Sequence, residues 1–144
     1  MDRFLEFVGN HPFLWTLFVG ILIAWVIFEV RDRAKGYLVI GNMDFTRLLN
    51  SGQAMLIDLR PTADYDRGHI RGARHLTPTQ VDPDAKDLQR YKEQPVLLYC
   101  QAGMNSGEVA ARLIKAGYAK VYSLKGGIAA WLAEQLPVEK GKNR

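Results

Sequence analysis

Cys100 is the only cysteine of the 144-residue chain, and its surroundings suit nucleophilic chemistry. It follows the apolar run Val96–Tyr99, and a short loop that contains Gly103 comes after it. A cysteine reacts as its thiolate, which backbone N–H groups and a helix N-terminus stabilise. The alternative is a structural cysteine that packs as a small hydrophobic residue. The position of Cys100 at the lip of a strand, directly before a loop, favours a reactive thiol.

The elements that must position Cys100 are a strand, a tight loop and a helix. Residues 96–99 are apolar strand formers and predict a buried strand. From Ser106 the pattern becomes helical, with apolar residues of one face at Val109, Ala110, Leu113 and Ile114. Gly117 stands where a helix C-terminal glycine is typical. Ligands of open α/β sheets bind at the carboxyl ends of the strands, so Cys100 is predicted to lie in a site.

The rest of the soluble part alternates strand and helix patterns. Further strands are predicted at residues 37–40, 55–58, 74–77 and 121–124. This alternation predicts an α/β fold, a five-stranded parallel sheet with helices on both faces.

An apolar segment precedes this domain, because residues 13–28 contain no charged side chain. We predict one N-terminal transmembrane helix at about residues 12–30, close to the length of about 20 residues that a bilayer requires. Basic residues follow it at Arg31, Arg33 and Lys35, so the positive-inside rule places the C-terminal side in the cytoplasm. A cleaved signal peptide is the alternative. It requires a basic start and a small-residue cleavage site, and this segment has neither.

The chain is therefore divided into four parts. They are an anchor at 1–30, a linker at 31–36, a compact domain at 37–137 and a basic tail at 138–144. Residues 1–30 carry a net charge of −2 and the remainder +6, within a total of +4. A single cysteine excludes an internal disulfide and a multi-cysteine metal site. No basic stripe with interleaved aromatic residues indicates nucleic-acid binding.

Four blocks of the soluble part resemble the rhodanese-like domain family, in that family's order and spacing. They are residues 56–60 (LIDLR), 65–73 (YDRGHIRGA), 96–106 (VLLYCQAGMNS) and 124–131 (LKGGIAAW). The resemblance extends over the whole predicted domain and implies the rhodanese-like fold. The N-terminal segment is similar to the anchor of small single-domain rhodaneses of the bacterial inner membrane.

The resemblance implies a sulfurtransferase of the thiosulfate:cyanide type, with Cys100 as the nucleophile. In that family the loop cysteine takes a sulfane sulfur from a donor, carries it as a persulfide and passes it to a thiophilic acceptor. The positions that the resemblance implies for substrate binding are Gln101, Ala102, Gly103, Met104, Asn105 and Ser106. It implies neither a metal nor an organic cofactor.

The end of the loop departs from the family pattern, since many members carry an arginine where this chain has Asn105 or Ser106. The phosphatases that share the fold carry their arginine at the position of Ser106. A phosphate dianion prefers a bidentate guanidinium, so we expect no phosphatase activity. The same difference predicts weaker thiosulfate binding and makes a protein persulfide or a low-molecular-weight persulfide an alternative donor.

Other polar residues lie near the predicted edge of the site. Arg60, after the second strand, either binds substrate or pairs structurally with Asp58. His69 is a candidate general base, but in the matching motif it is expected to hold a turn. A thiolate stabilised by amides needs no base.

We expect a single-pass protein of the bacterial inner membrane, with its N-terminus outside and its rhodanese domain in the cytoplasm. The expected partners are a small anionic sulfur donor or a protein persulfide, the lipid bilayer through residues 12–30, and a membrane protein. The alternative function is a catalytically weak rhodanese-fold adaptor that binds a membrane protein. A third, redox sensing through Cys100, requires a thiol from another molecule, because the chain has no resolving cysteine.

Overall fold

The structure is a computed structural model that describes residues 11–141, apart from the side chain of Asp32. Residues 1–10 of the predicted anchor and residues 142–144 of the predicted tail lie outside this part. The chain divides into two compact units, one ending at Lys35 and the other beginning at Gly36.

The described part of the first unit contains one long helix, α1 (Pro12–Arg33). Its segment Pro12–Arg31 is long and apolar enough to cross a bilayer. At 1.5 Å per residue this segment spans about 30 Å, the thickness of a hydrocarbon core. The helix continues into the predicted linker and ends with the basic residues Arg31 and Arg33 in its last turn.

The second unit alternates strands and helices along the chain, as the sequence predicts. The strands are β1 (Leu38–Ile40), β2 (Met55–Asp58), β3 (Arg74–His75), β4 (Val96–Tyr99) and β5 (Val121–Leu124). The helices are α2 (Asn42–Asn50), α3 (Thr62–Arg67), α4 (Lys86–Gln89), α5 (Met104–Lys115) and α6 (Gly127–Ala133). Helix α5 begins at Met104, slightly before the predicted start at Ser106.

The five strands form one parallel sheet in the order β1-β5-β4-β2-β3. Strand β4 is central, between β2 and β5, and every residue of β4 is buried. This explains why β4 is a continuous apolar run, since both of its faces are covered. The predicted fold class is confirmed.

Side chains of β4 alternate between two cores, one on each face of the sheet. Val96 and Leu98 pack with Val109 and Leu113 of α5, and Cys100 belongs to the same core. Leu97 and Tyr99 lie in the opposite core, together with side chains of α2, α3 and α6, namely Phe45, Tyr65, Ile128 and Trp131. Cys100 thus continues the alternation of β4 toward the face that α5 covers.

The beginning of the predicted basic tail pairs with the turn that follows α3. His69 and Glu139 form an antiparallel bridge, in which each backbone N–H donates to the other's carbonyl at 2.8 Å. Arg71 adds an ion pair to the Glu139 carboxylate at 3.2 Å.

Candidate active site

Cys100 begins a tight loop that joins β4 to α5. The loop closes at Gly103, whose φ of +92° lies in the left-handed region that favours glycine. A Cβ at Gly103 would lie 3.4 Å from the backbone nitrogen of Gly126, so this position has little spare room. Helix α5 begins at the next residue, which directs its first N–H groups toward the start of the loop.

The Cys100 thiol is buried, with 4% of the residue exposed, and lies among hydrogen-bond donors. The backbone N–H of Gly103 donates to Sγ at 3.0 Å. Burial by itself raises the pKa of the thiol, because it disfavours a charge. The backbone N–H and hydroxyl of Ser106, with the N–H groups of Gly103 and Asn105, outweigh burial and lower the pKa of Cys100 below its ordinary value. The surroundings therefore favour the thiolate without a basic side chain.

Two buried hydroxyls continue this hydrogen-bond network behind the sulfur. Ser106 Oγ lies 3.7 Å from Cys100 Sγ and donates to the Gly103 carbonyl at 3.1 Å. Ser123, on β5, has its Oγ 2.7 Å from Ser106 Oγ. Ser123 is not among the residues predicted for the site. The available signal was a polar residue in the otherwise apolar strand β5.

Helix α6 fixes the other side of the loop. The N–H of Ile128 donates to the Cys100 carbonyl at 2.9 Å, and the N–H of Ala129 donates to the Gln101 carbonyl at 3.2 Å. A Cβ on Gly127 would overlap the Cys100 carbonyl oxygen, so only glycine allows this approach. Because α6 holds the loop carbonyls, the loop N–H groups remain directed at the sulfur. The sequence gives no sign of this contact between α6 and the loop.

The residues predicted to bind substrate lie around the sulfur at different depths. The exposed members are Gln101, Ala102, Met104 and Asn105. Gly103 is half-buried and Ser106 is fully buried. The loop thus presents polar backbone and an exposed methionine to an incoming molecule, with no arginine among these positions.

Arg60 is held by a buried network next to the loop. Its guanidinium makes a two-nitrogen contact with the Asp58 carboxylate, with the shortest distance 2.7 Å, and also donates to the Gly68 carbonyl at 2.6 Å. The side chains of Arg60 and Asp58 are 6% and 0% exposed. The guanidinium carbon lies 5.7 Å from the centre of the Tyr99 ring. These contacts favour the structural alternative for Arg60, while substrate binding by Arg60 stays a prediction.

A pocket of about 350 Å³ opens beside the loop. It is lined by Arg60, Asp64, Arg67, Gly68, Gln101, Leu132 and Val138. Gln101 connects the pocket to the loop that carries Cys100. Arg67 is an exposed cation at its edge, 3.3 Å from Asp64.

His69 has an architectural position. It is 2% exposed, its ring stacks on Tyr65 at 3.9 Å between centroids, and its Nδ1 lies 3.0 Å from the Tyr65 carbonyl, to which it donates. His75 Nε2 donates to the Arg60 carbonyl at 2.7 Å. Both imidazoles therefore bind backbone carbonyls near the turn that follows α3. Within residues 11–141, no group of three or more metal-binding side chains comes together.

Comparison with known proteins identifies the family of this domain. The model of the rhodanese-like domain family matches residues 43–134. The solution structure of the rhodanese-like domain of Alr3790 from Anabaena sp. has a TM-score of 0.60 at 26% identity, covering 70% of this chain and 77% of that one.

Two relatives extend the similarity in sequence. The uncharacterized protein YibN of Escherichia coli (strain K12) is 35% identical over 143 residues, covering 99% of this chain and all of YibN. GlpE of Coxiella burnetii (strain RSA 493 / Nine Mile phase I), a thiosulfate sulfurtransferase by name, is 32% identical over 107 residues, covering 74% of this chain and 98% of GlpE. Because the family model spans more than half of the residues and a relative aligns along almost all of them, this chain belongs to the rhodanese-like domain family.

Proposed function

We propose that this protein is a membrane-anchored sulfurtransferase that carries a sulfane sulfur as a persulfide on Cys100. The observation that carries the proposal is the geometry of the thiol. Cys100 stands at the carboxyl end of the central strand, with backbone N–H groups directed at it and its pKa lowered. The similarity to GlpE, which covers nearly the whole of that protein, supports the same chemistry.

The reaction has two steps. In the first, the Cys100 thiolate attacks the outer sulfur of thiosulfate, a new S–S bond forms at Sγ, and sulfite leaves with the electron pair of the broken bond. In the second, cyanide or an acceptor thiolate attacks the outer persulfide sulfur, and the Cys100 thiolate leaves with the bonding pair. The enzyme alternates between two covalent forms, so ping-pong kinetics are expected.

The loop suits a donor of modest charge. Asn105 and Ser106 supply no guanidinium, so an anion is held by backbone N–H groups and the N-terminus of α5. The pocket beside Gln101, with a volume of about 350 Å³, has room for the body of an organic persulfide. Its exposed cation, Arg67, suits a carboxylate on that donor. We therefore favour a low-molecular-weight persulfide or a protein persulfide over thiosulfate as the cellular donor.

Intact mass measurement tests the chemistry directly. The purified full chain is incubated with thiosulfate or a small persulfide, and its intact mass is then measured with and without reductant. We expect a gain of one sulfur atom on Cys100 that reductant removes, and no gain in Cys100→Ser. A matched control places a thiol on the surface by combining Ser51→Cys with Cys100→Ser, and it is expected to load poorly because it lacks the loop. Equal and measurable sulfur transfer from the persulfide or from thiosulfate to cyanide in Cys100→Ser and the wild type would contradict the proposal.

The membrane placement is part of the proposal. Helix α1 has the length and composition of a span, and basic residues follow its apolar part. We propose a bacterial inner-membrane protein with its N-terminus outside and the rhodanese domain in the cytoplasm. A C-terminal reporter that fluoresces only in the cytoplasm should be bright, and a periplasmic reporter at the same position should be inactive. The opposite pattern would reverse the orientation.

An adaptor is the second candidate, favoured by the departure of the loop at Asn105 and Ser106. In that case α1 binds a membrane protein, and the rhodanese unit presents a surface without turnover. Crosslinking from α1 in membranes should then find the same neighbour in the wild type and in Cys100→Ala. Sulfur loading on Cys100 together with the absence of a protein neighbour would decide for the enzyme.

A further inference from the structure

Ser123 lies outside the loop, and its buried hydroxyl faces the site. In the sheet it pairs with Leu98, and Val121 of the same strand packs in the core that contains Leu98 and Cys100. Ser123 is 2% exposed. A buried hydroxyl costs free energy unless it is hydrogen-bonded, and an apolar residue would fill this strand position at lower cost. The Ser123 hydroxyl is satisfied by Ser106, 2.7 Å away.

The hydroxyl protons of the pair can be assigned by counting donors and acceptors. A carbonyl only accepts, so the Ser106 proton points at the Gly103 carbonyl in the 3.1 Å bond. With that proton engaged, the 2.7 Å contact requires Ser123 to donate to Ser106 Oγ. The second lone pair of Ser106 Oγ faces the Cys100 thiol, which donates to it at 3.7 Å. The three groups are then fully satisfied while the sulfur is protonated.

Loss of the thiol proton changes two bonds of this set. The thiolate accepts and no longer donates, so the Ser106 hydroxyl can turn from the Gly103 carbonyl to Sγ. Ser123 continues to donate to Ser106 Oγ in that state. A hydroxyl that accepts a hydrogen bond becomes a stronger donor itself, because bonds in a chain polarise one another.

We propose that Ser123 is a positioning residue that acts through the Ser106 hydroxyl to stabilise the thiolate of Cys100. This role rests on the proposed sulfur-transfer function for its purpose, but its effect is on the thiol itself. It can therefore be measured whether or not the protein transfers sulfur.

The test is the pH dependence of alkylation, which reports Cys100 alone because the chain has no other cysteine. The purified full chain is treated with iodoacetamide across a pH series, as wild type and as Ser123→Ala, Ser106→Ala and the double variant. We expect Ser123→Ala to raise the pKa of Cys100 and to slow alkylation at neutral pH by about three- to tenfold, the effect of one weakened hydrogen bond. The rate at high pH should not change. The double variant should match Ser106→Ala, since the proposal has Ser123 act on the sulfur through Ser106.

A same-shape pair separates the hydroxyl from packing. Ser123→Thr retains the hydroxyl and Ser123→Val does not, and the two side chains have similar volumes. We expect the threonine variant to titrate like the wild type and the valine variant like Ser123→Ala. Ser51→Ala, which removes an exposed hydroxyl elsewhere, should have no effect. An unchanged pKa in Ser123→Ala, equal curves for the threonine and valine variants, or a further rise in the double variant would overturn the proposal.

Discussion

The groups that lower the pKa of Cys100 are backbone N–H groups and the hydroxyl of Ser106. His69, the candidate base of the sequence, is engaged with Tyr65 and with the chain near Glu139. The thiolate instead faces the N–H of Gly103 and the start of α5. Backbone donors keep their charge state at any pH, so in the proposed reaction we expect the protonation of Cys100 to set the pH dependence of the rate.

The lowered pKa of Cys100 predicts its pH profile. A thiolate is lost as the pH falls through the pKa of the folded protein, and that pKa lies below the ordinary thiol value. Iodoacetamide alkylation of Cys100 should therefore stay near its plateau at pH values where an ordinary thiol has already slowed. The surface thiol in Ser51→Cys with Cys100→Ser provides the reference curve. Coincident curves would show that the loop does not activate the sulfur.

The Asp58–Arg60 pair predicts a large loss of stability. Arg60→Met leaves the buried Asp58 carboxylate without its partner, which costs about 3–5 kcal/mol of unfolding free energy. Arg67→Met removes one member of an exposed pair and should cost about 0–1 kcal/mol. Urea unfolding measures both. Equal and small losses of unfolding free energy in the two variants would mean that Arg60 is free to bind substrate.

Cys100 can be predicted from its place after an apolar strand, whereas Ser123 cannot. The pattern around Cys100 is local, since a strand, a glycine-containing loop and a helix follow one another along the chain. Ser123 reaches the site across the sheet, through its pairing with Leu98. Contacts between distant residues leave no periodic pattern to read.

At the scale of elements, α6 and β4 jointly build the loop. The first N–H groups of α6 are donors without partners inside their own helix. Two of them bind the carbonyls of Cys100 and Gln101, which satisfies both elements. The start of α5 is an element boundary that the apolar periodicity of the sequence does not predict. Its first turn carries exposed Met104 and Asn105, so the apolar pattern begins later than the helix.

Gly127 provides the test of this contact. Gly127→Ala drives a methyl group into the Cys100 carbonyl and should cost about 1–3 kcal/mol beyond backbone strain. It should also slow the alkylation of Cys100 at neutral pH, because the loop N–H groups move off the sulfur. Gly52→Ala is the matched control, with a φ of +75° and open space around its Cβ, so that it meets strain alone. If both variants lose the same stability and retain the same reactivity, the contact has no role in the site.

At the scale of the whole molecule, residues 11–141 contain one long apolar helix and an α/β unit with five strands. Apolar runs and breaks in the sequence predict five strands and the long helix, because each is a local pattern. The strand order β1-β5-β4-β2-β3 cannot be predicted from such local patterns. It depends on crossovers that bring β5 beside β1, and nothing within either short strand specifies that pairing.

The division after Lys35 predicts that the second unit folds alone. A chain of residues 36–144 should be recovered without detergent, unfold in one cooperative transition and load sulfur like the full chain. The full chain should resist extraction from membranes by alkaline carbonate. Aggregation of the shorter chain would contradict independent folding of the second unit, and release of the full chain by carbonate would contradict membrane anchoring by α1.

The contact between α6 and the loop also sets when the thiol becomes reactive during synthesis. Cys100 leaves the ribosome before β5 and before Ile128 and Ala129, whose N–H groups hold the loop. Until those residues emerge, β4 lacks one neighbour and the loop carbonyls lack their donors. A nascent chain is therefore expected to carry Cys100 with the pKa of an ordinary thiol. That pKa is expected to fall only when Ile128 and Ala129 have bound the loop carbonyls.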